Sequence, residues 1–224
     1  MTSNLDRKIQ VSQCDIDFWT QQLAQHALFL QDLFNPQNAG DLIEEAKMLC
    51  IGWSNQLKKN PIEYNPILSN SQYSLLHAAK SRLSRGVPIN NKISGDDLHD
   101  LLHHMILEQT FFVRLAQGRM TIGEELQFWV QENREHTDFV SRFLPDGILK
   151  DEISDLVDKL EDHYELPENL KLIRASNKAM MEVHNAVHSK QITAIDDAML
   201  EHEIREAKKG EQRVSFLLSL LQQK

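Results

Sequence analysis

Residues 18–29 read Phe18-Trp19-Thr20-Gln21-Gln22-Leu23-Ala24-Gln25-His26-Ala27-Leu28-Phe29, and residues 128–139 read Phe128-Trp129-Val130-Gln131-Glu132-Asn133-Arg134-Glu135-His136-Thr137-Asp138-Phe139. Phe-Trp-x-Gln, a histidine five residues on and a phenylalanine three beyond it recur at an offset of 110 in a chain of 224. A repeat of half the chain implies two copies of one structural unit. Inside the first copy, Trp19, Leu23, His26, Leu30 and Leu33 follow at steps of 4, 3, 4 and 3, and the second copy answers with Trp129, Asn133, His136, Val140 and Phe143. Such steps keep side chains on one stripe of an α-helix, the stripe a bundle helix buries. His26 and His136 are therefore expected to point inward.

Working outward, four helix starts share one signature: Ser12-x-x-Asp15, Ser94-x-x-Asp97, Thr121-x-x-Glu124 and Thr193-x-x-Asp196. The hydroxyl accepts from a backbone N–H of the first turn, and the acid suits the positive end of the helix dipole. These signatures open the first and fourth helices of each half. In the first half the second and third helices are expected near Asp41–Lys58, stopped by Asn60-Pro61, and near Ser71–Arg85, stopped by Gly86 and Pro88. In the second half they are expected near Leu149–Tyr164 and Glu168–His188. Asn35-Pro36 and Pro145-Asp146-Gly147 break the chain after each first helix. No strand alternation stands out. The expectation is an all-α protein of two tandem four-helix bundles related by internal duplication: a flexible tail over 1–11, a first bundle over 12–118 and a second over 119–224. Residues 60–71 read as an irregular connection.

Composition agrees. Apolar residues make up 41% of the chain, enough for a core, and only eight glycines and six prolines occur, as suits helices with short connections. The formal net charge of −9 argues against binding a nucleic-acid backbone or an anionic membrane surface. No apolar run approaches bilayer length, and residues 1–11 carry no signal-peptide pattern, so a cytoplasmic location is expected. Cys14 and Cys50 show no ligand spacing and read as small buried hydrophobes. Surface seams of the bundles leave pairing with a second copy of the chain open.

The chemistry lies in what the buried stripes carry. In the fourth helices, Leu101, His104, Glu108, Phe112 and Leu115 are spaced 3, 4, 4 and 3, while Ile195, Met199, His202 and Glu206 are spaced 4, 3 and 4. Each half thus turns one His-x-x-x-Glu pair inward, and residues four apart are helical neighbours. The second helices add Glu45, in the stripe Leu42-Glu45-Leu49-Trp53-Gln56, and Glu152, in Leu149-Glu152-Leu156-Leu160-His163. Glu132 lies one turn before His136, where the first half has Gln22. A buried carboxylate is costly unless paired or coordinated. A cation would explain both sets: His26, Glu45, His104 and Glu108 in the first half, and Glu132, His136, Glu152, His202 and Glu206 in the second. Mixed carboxylate and imidazole donors suit iron first, then manganese or zinc. The bland alternative is a hydrogen-bonded His/Glu core with no metal, in a structural or stress-associated scaffold. The first half, with Gln22 in place of an acid, leans further toward that alternative. His103 is turned about 100° from His104. His77, His163, Glu182 and His184 read as surface polar residues, and Met180, Met181 and Met199 as packing. No nucleophile elbow, phosphate loop or zinc-finger spacing is present.

The Phe-Trp…His helix, the run Leu101-Leu102-His103-His104-Met105-Ile106-Leu107-Glu108 and the run Leu200-Glu201-His202-Glu203-Ile204-Arg205-Glu206-Ala207 together resemble a bacterial ferritin-like family of tandem four-helix bundles. That family is of unknown function, and some members are labelled spore-coat proteins. The resemblance spans about residues 12–222. It implies a ferritin-like fold and metal-binding positions at His26, His104, Glu108, His136, His202 and Glu206. The chain lacks the Glu-x-x-His pairs from which ferritin-like di-iron centres are built. A hemerythrin-like oxygen binder also uses His-x-x-x-Glu but needs more inward histidines than this chain supplies. The resulting expectation is a metal-binding protein, with oxygen or redox chemistry where the metal keeps an open position.

Overall fold

The computed structural model of the chain describes residues 4–90, 93–162, 166–189 and 197–222. Among them the protein is all-helical. Eight α-helices follow one another: α1 Gln13–Leu33, α2 Gly40–Leu57, α3 Pro66–Ser84, α4 Gly95–Ala116, α5 Ile122–Arg142, α6 Ile148–Asp162, α7 Leu166–His188 and α8 Asp197–Gln222. The chain divides into two compact units, Ile9–Met120 and Met1–Lys8 with Thr121–Lys224. None of the described helices is long and apolar enough to cross a membrane. Thr193-x-x-Asp196, Ile195, Tyr164 and His163 lie outside the described residues.

In the 9–120 unit, α1 opens with a full capping box: the Ser12 hydroxyl accepts from the Asp15 N–H, and the Asp15 carboxylate accepts from the Ser12 N–H at 3.1 Å. α3 begins at Pro66, earlier than the sequence pattern suggested. Asn65 is the reason: its side-chain oxygen accepts from the N–H groups of Ile67 and Leu68, both at 3.1 Å, and proline suits the first helical turn. Trp19 of α1 stacks on Phe112 of α4 at 6.2 Å between centroids, and both are fully buried. Trp53 of α2 donates to Gln72 of α3 at 2.5 Å, which satisfies the indole inside the core.

The second helix of each unit corrects the sequence reading. The buried stripe of α2 is Leu42, Ala46, Leu49 and Trp53, and Glu45 is exposed. In α6, Ile153 and Leu160 are buried and Glu152 is exposed. Both acids sit one residue, about 100°, off the stripe. In α2 the small Ala46 holds the inward place that a 3,4 spacing also allows for Glu45. Neither Glu45 nor Glu152 belongs with the inward acids. Cys14 is exposed and Cys50 half-buried, both as free thiols, rather than buried hydrophobes.

At the surface of the same unit, Arg82 of α3 grips Asp41 of α2 with two hydrogen bonds, one at 2.7 Å from Nη1 to Oδ1. The Arg82 hydrogen bond holds the Asp41 carboxyl down at about 2. A depressed carboxyl stabilises the fold above its unfolded value, near 4, and loses that contribution as pH falls through 2. Acid unfolding curves of wild type and Arg82→Ala are thus expected to differ above pH 4 and to converge below pH 2. Curves that keep their separation at pH 2 would refute this.

The 121–224 unit begins with the companion capping box, in which Thr121 accepts from the Glu124 N–H and the Glu124 carboxylate accepts from the Thr121 N–H at 2.9 Å. Residues 4–8, expected as a loose tail, pack on this helix start. Asn4–Asp6 form a 3-10 turn, Lys8 pairs with Thr121, and the Arg7 carbonyl accepts from the Ile122 N–H at 2.9 Å. The first turn of a helix has donors with no partner inside it, and this strand-like segment takes one of them. Val140, Leu144, Ile153, Met180, Val183 and Leu200 form the core at one end of the unit. At the other end α8 comes very close to α5 at Gly210: a Cβ there would fall 2.6 Å from Asn133 Nδ2 and 2.9 Å from Trp129 Cε3. Trp129 is fully buried and cannot swing away. Gly210→Ala is expected to destabilise the protein by about 1–3 kcal/mol through overpacking, despite alanine's better helix propensity. Thermal unfolding checks this, and a stabilised variant would show that the helices simply part.

Candidate metal centre

Five polar side chains converge between α5 and α8 in the 121–224 unit. α5 supplies Glu132 and His136, four residues apart and so one above the other on one face. α8 supplies His202, Glu203 and Glu206. All five are nearly fully buried, none more than 4% exposed. His136 Nε2 lies 3.3 Å from Glu132 Oε1, 3.2 Å from Glu203 Oε2 and 3.3 Å from Glu206 Oε2. The same Glu206 Oε2 lies 3.3 Å from His202 Nε2. Ligand atoms of Glu132, His136 and Glu206 all lie within 4.8 Å of one another, and such a buried His/Glu group could hold a metal ion.

The electrostatics favour a cation there. Burial pushes the His136 ring toward neutrality, but the charge of Glu203 and hydrogen bonds to Glu132 and Glu206 outweigh it and hold the ring protonated well above the ordinary histidine range. One N–H, however, can aim at only one of three oxygens, and 3.2–3.3 Å is long for a charge-assisted bond. The same atoms could instead hold a metal ion. With ligands about 2.1 Å from a metal, neighbouring donors stand about 3.0 Å apart in an octahedron and about 3.4 Å apart in a tetrahedron. The three separations from His136 Nε2 to carboxylate oxygens, 3.2–3.3 Å, fall between these edges.

The 9–120 unit holds a smaller set. His26 of α1 is buried, with Nε2 3.2 Å from Glu108 Oε2, and His104 Nε2 lies 3.7 Å from Glu108 Oε1 on the other side of the same carboxylate. Gln22, buried on α1 where the other motif copy has Glu132, adds no charge.

Of the nine residues the sequence singled out, seven turn inward: His26, His104 and Glu108 in one unit, and Glu132, His136, His202 and Glu206 in the other. Glu45 and Glu152 do not join them. His103, His77 and Glu182 are exposed, and His184 is half-buried beside the exposed Glu201. The sequence reading missed Glu203, and missed Glu125 as well, a buried carboxylate on α5 held by Arg213 of α8 at 2.6 and 2.8 Å. Glu203 had a signal. Counting back along α8 from Val214 through Gly210 and Ala207, at steps of 4 and 3, lands on it.

No protein family and no curated protein matches the chain. Among solved structures, the chain is similar to an uncharacterized protein from Bacillus cereus G9241, with a TM-score of 0.68 and 16% identity, over 90% of this chain and 88% of that one. At that identity, the likeness is one of fold.

Proposed function

We propose that the chain is a ferritin-like metal-binding protein of two tandem, duplicated four-helix bundles that holds a transition metal ion between α5 and α8. Glu132, His136, His202 and Glu206 are its donors. The observation that carries this reading is the convergence of three buried carboxylate oxygens on one imidazole nitrogen, at distances that match the edges of a coordination shell. Iron is the first choice for this donor set, with manganese and zinc behind it. An iron centre with an open position would supply oxygen or peroxide chemistry. The chain's own contribution is to orient the ring of His136 and to keep water from the carboxylates. The repeated Phe-Trp helices, each opened by a capping box, support the duplication. The likeness of the motifs to a ferritin-like family of tandem bundles supports the class.

The test is metal content by plasma mass spectrometry on protein purified without tag or chelator. A stoichiometric amount of one transition metal is expected, lost in the His202/Glu206 double alanine variant and kept in His77→Ala, a change at an exposed histidine. Protein with no metal above surface background, and a double variant that is merely less stable, would sink the proposal and leave a scaffold with a polar core.

A further inference from the structure

We propose a second metal site, at the surface of the 121–224 unit, in which His184 and His188 of α7 and Glu201 of α8 take a divalent ion such as zinc(II). It shares no residue with the buried donors and does not depend on the metal-binding reading above. His184 and His188 stand four residues apart, so both rings leave one face of α7. The rings lie nearly parallel, with 19° between their planes and 6.2 Å between centroids. From the neighbouring helix, Glu201 brings Oε1 to 4.0 Å from His184 Nε2.

Two imidazoles one helical turn apart are the pair that a helix presents to zinc(II), and a carboxylate from another element is a common third donor. Imidazole suits zinc, copper and nickel, whereas calcium and magnesium want oxygen donors throughout. Around a tetrahedral ion the donors stand about 3.4 Å apart, so the 4.0 Å between His184 and Glu201 closes with a movement of roughly 0.6 Å. The His188 ring must turn as well, to aim a nitrogen at the same ion. The surface permits both movements. His188 is exposed, His184 is 23% exposed and Glu201 is 61% exposed, and exposed side chains change rotamer freely. Exposure also leaves the remaining coordination position to water or to an incoming ligand. A bound ion ties the C-terminal end of α7 to α8, one residue from the buried donor His202.

Equilibrium dialysis of the whole protein against zinc(II) tests the site, wild type beside the double variant His184→Gln/His188→Gln. The variant is expected to bind one zinc fewer. Ions held at the buried centre, or by His99 and His103, which share the spacing on α4, are common to both proteins and cancel in the difference. Glu201→Gln leaves both imidazoles in place and is expected to weaken the ion about tenfold, whereas His188→Gln, which breaks the helical chelate, weakens it about a hundredfold. Wild type alone supplies a second measurement: zinc should protect His184 and His188 together from diethylpyrocarbonate, read by peptide mass spectrometry. A double variant that binds as much zinc as wild type overturns the site, and so does modification of both histidines at the same rate with and without saturating zinc. In either case zinc that is lost only in the His202/Glu206 double alanine variant leaves the buried centre standing. Wild-type zinc that disappears entirely with His184 and His188 supports the surface site and overturns the buried one.

Discussion

Arg213→Ala is expected to cost the protein about 3–5 kcal/mol of stability, the largest loss from a single substitution outside the apolar core. The Glu125 carboxylate is fully buried, and its two oxygens accept from Arg213 Nε at 2.6 Å and Nη2 at 2.8 Å, with the Trp129 indole donating to one of them at 3.1 Å. The Arg213 side chain is only 12% exposed, so solvent screens the pair little. Removing the guanidinium strands the carboxylate where it is least tolerated. The size of the loss does not measure what the pair itself contributes, because removing both charges is a different experiment. The double variant Glu125→Leu/Arg213→Met is expected to recover most of the stability. Urea denaturation of both variants tests this. A loss under about 1 kcal/mol for Arg213→Ala would mean that the pair behaves like a surface ion pair.

The second large effect is stabilisation by metal. A ligand that binds only the folded state, at about a thousand times its dissociation constant, adds about 4 kcal/mol. For a unit of this size each kcal/mol raises the melting temperature by about 4–8 °C, so the shift should be on the order of 20 °C. The buried carboxylates make the effect specific, since each loses its cost of burial when the cation arrives. His136→Ala removes the nitrogen on which the oxygens converge and should abolish the shift. Loading must also displace the proton that the carboxylates hold on His136 in the metal-free protein, so binding should release acid into a weakly buffered solution. A melting curve unmoved by iron(II), manganese(II) and zinc(II) under anaerobic conditions would remove the prediction and its basis.

Much of this was legible in the sequence, for local reasons. The caps Ser12/Asp15 and Thr121/Glu124 act within one turn, so their residues announce them wherever the helix sits in the fold. The stripe through Trp19, Leu23 and His26 was plain because large apolar residues fill it. The stripe through α2 was not, because Ala46 is small and Glu45, one residue away, satisfied the same spacing. Asn65, as the cap of α3, was available but was passed over within a stretch that looked irregular. Glu203 was obscured by its neighbours: His202 and Glu206 already formed a four-residue pair, and the buried face of α8 proved wide enough to take the adjacent residue as well. Glu125 and Arg213 are 88 residues apart, and no local pattern links them. Pairing across helices is tertiary information, and a single sequence holds it only as charge left to be matched.

Gly210 has a consequence for how α8 seats on α5. The two helices run antiparallel and meet in three successive rungs: Glu125 with Arg213, Trp129 and Asn133 with Gly210, and His136 with Glu203 and Glu206. The middle rung admits no side chain, and the outer two are charged and exacting in geometry. Sliding α8 by one turn, about 5.4 Å, would place a side chain against Trp129 and break both charged rungs at once. An all-leucine seam would tolerate such a slip, because one leucine replaces another. Here the glycine and its charged neighbours work as a vernier that admits one alignment, and the spacing of the donors about His136 is a property of that alignment.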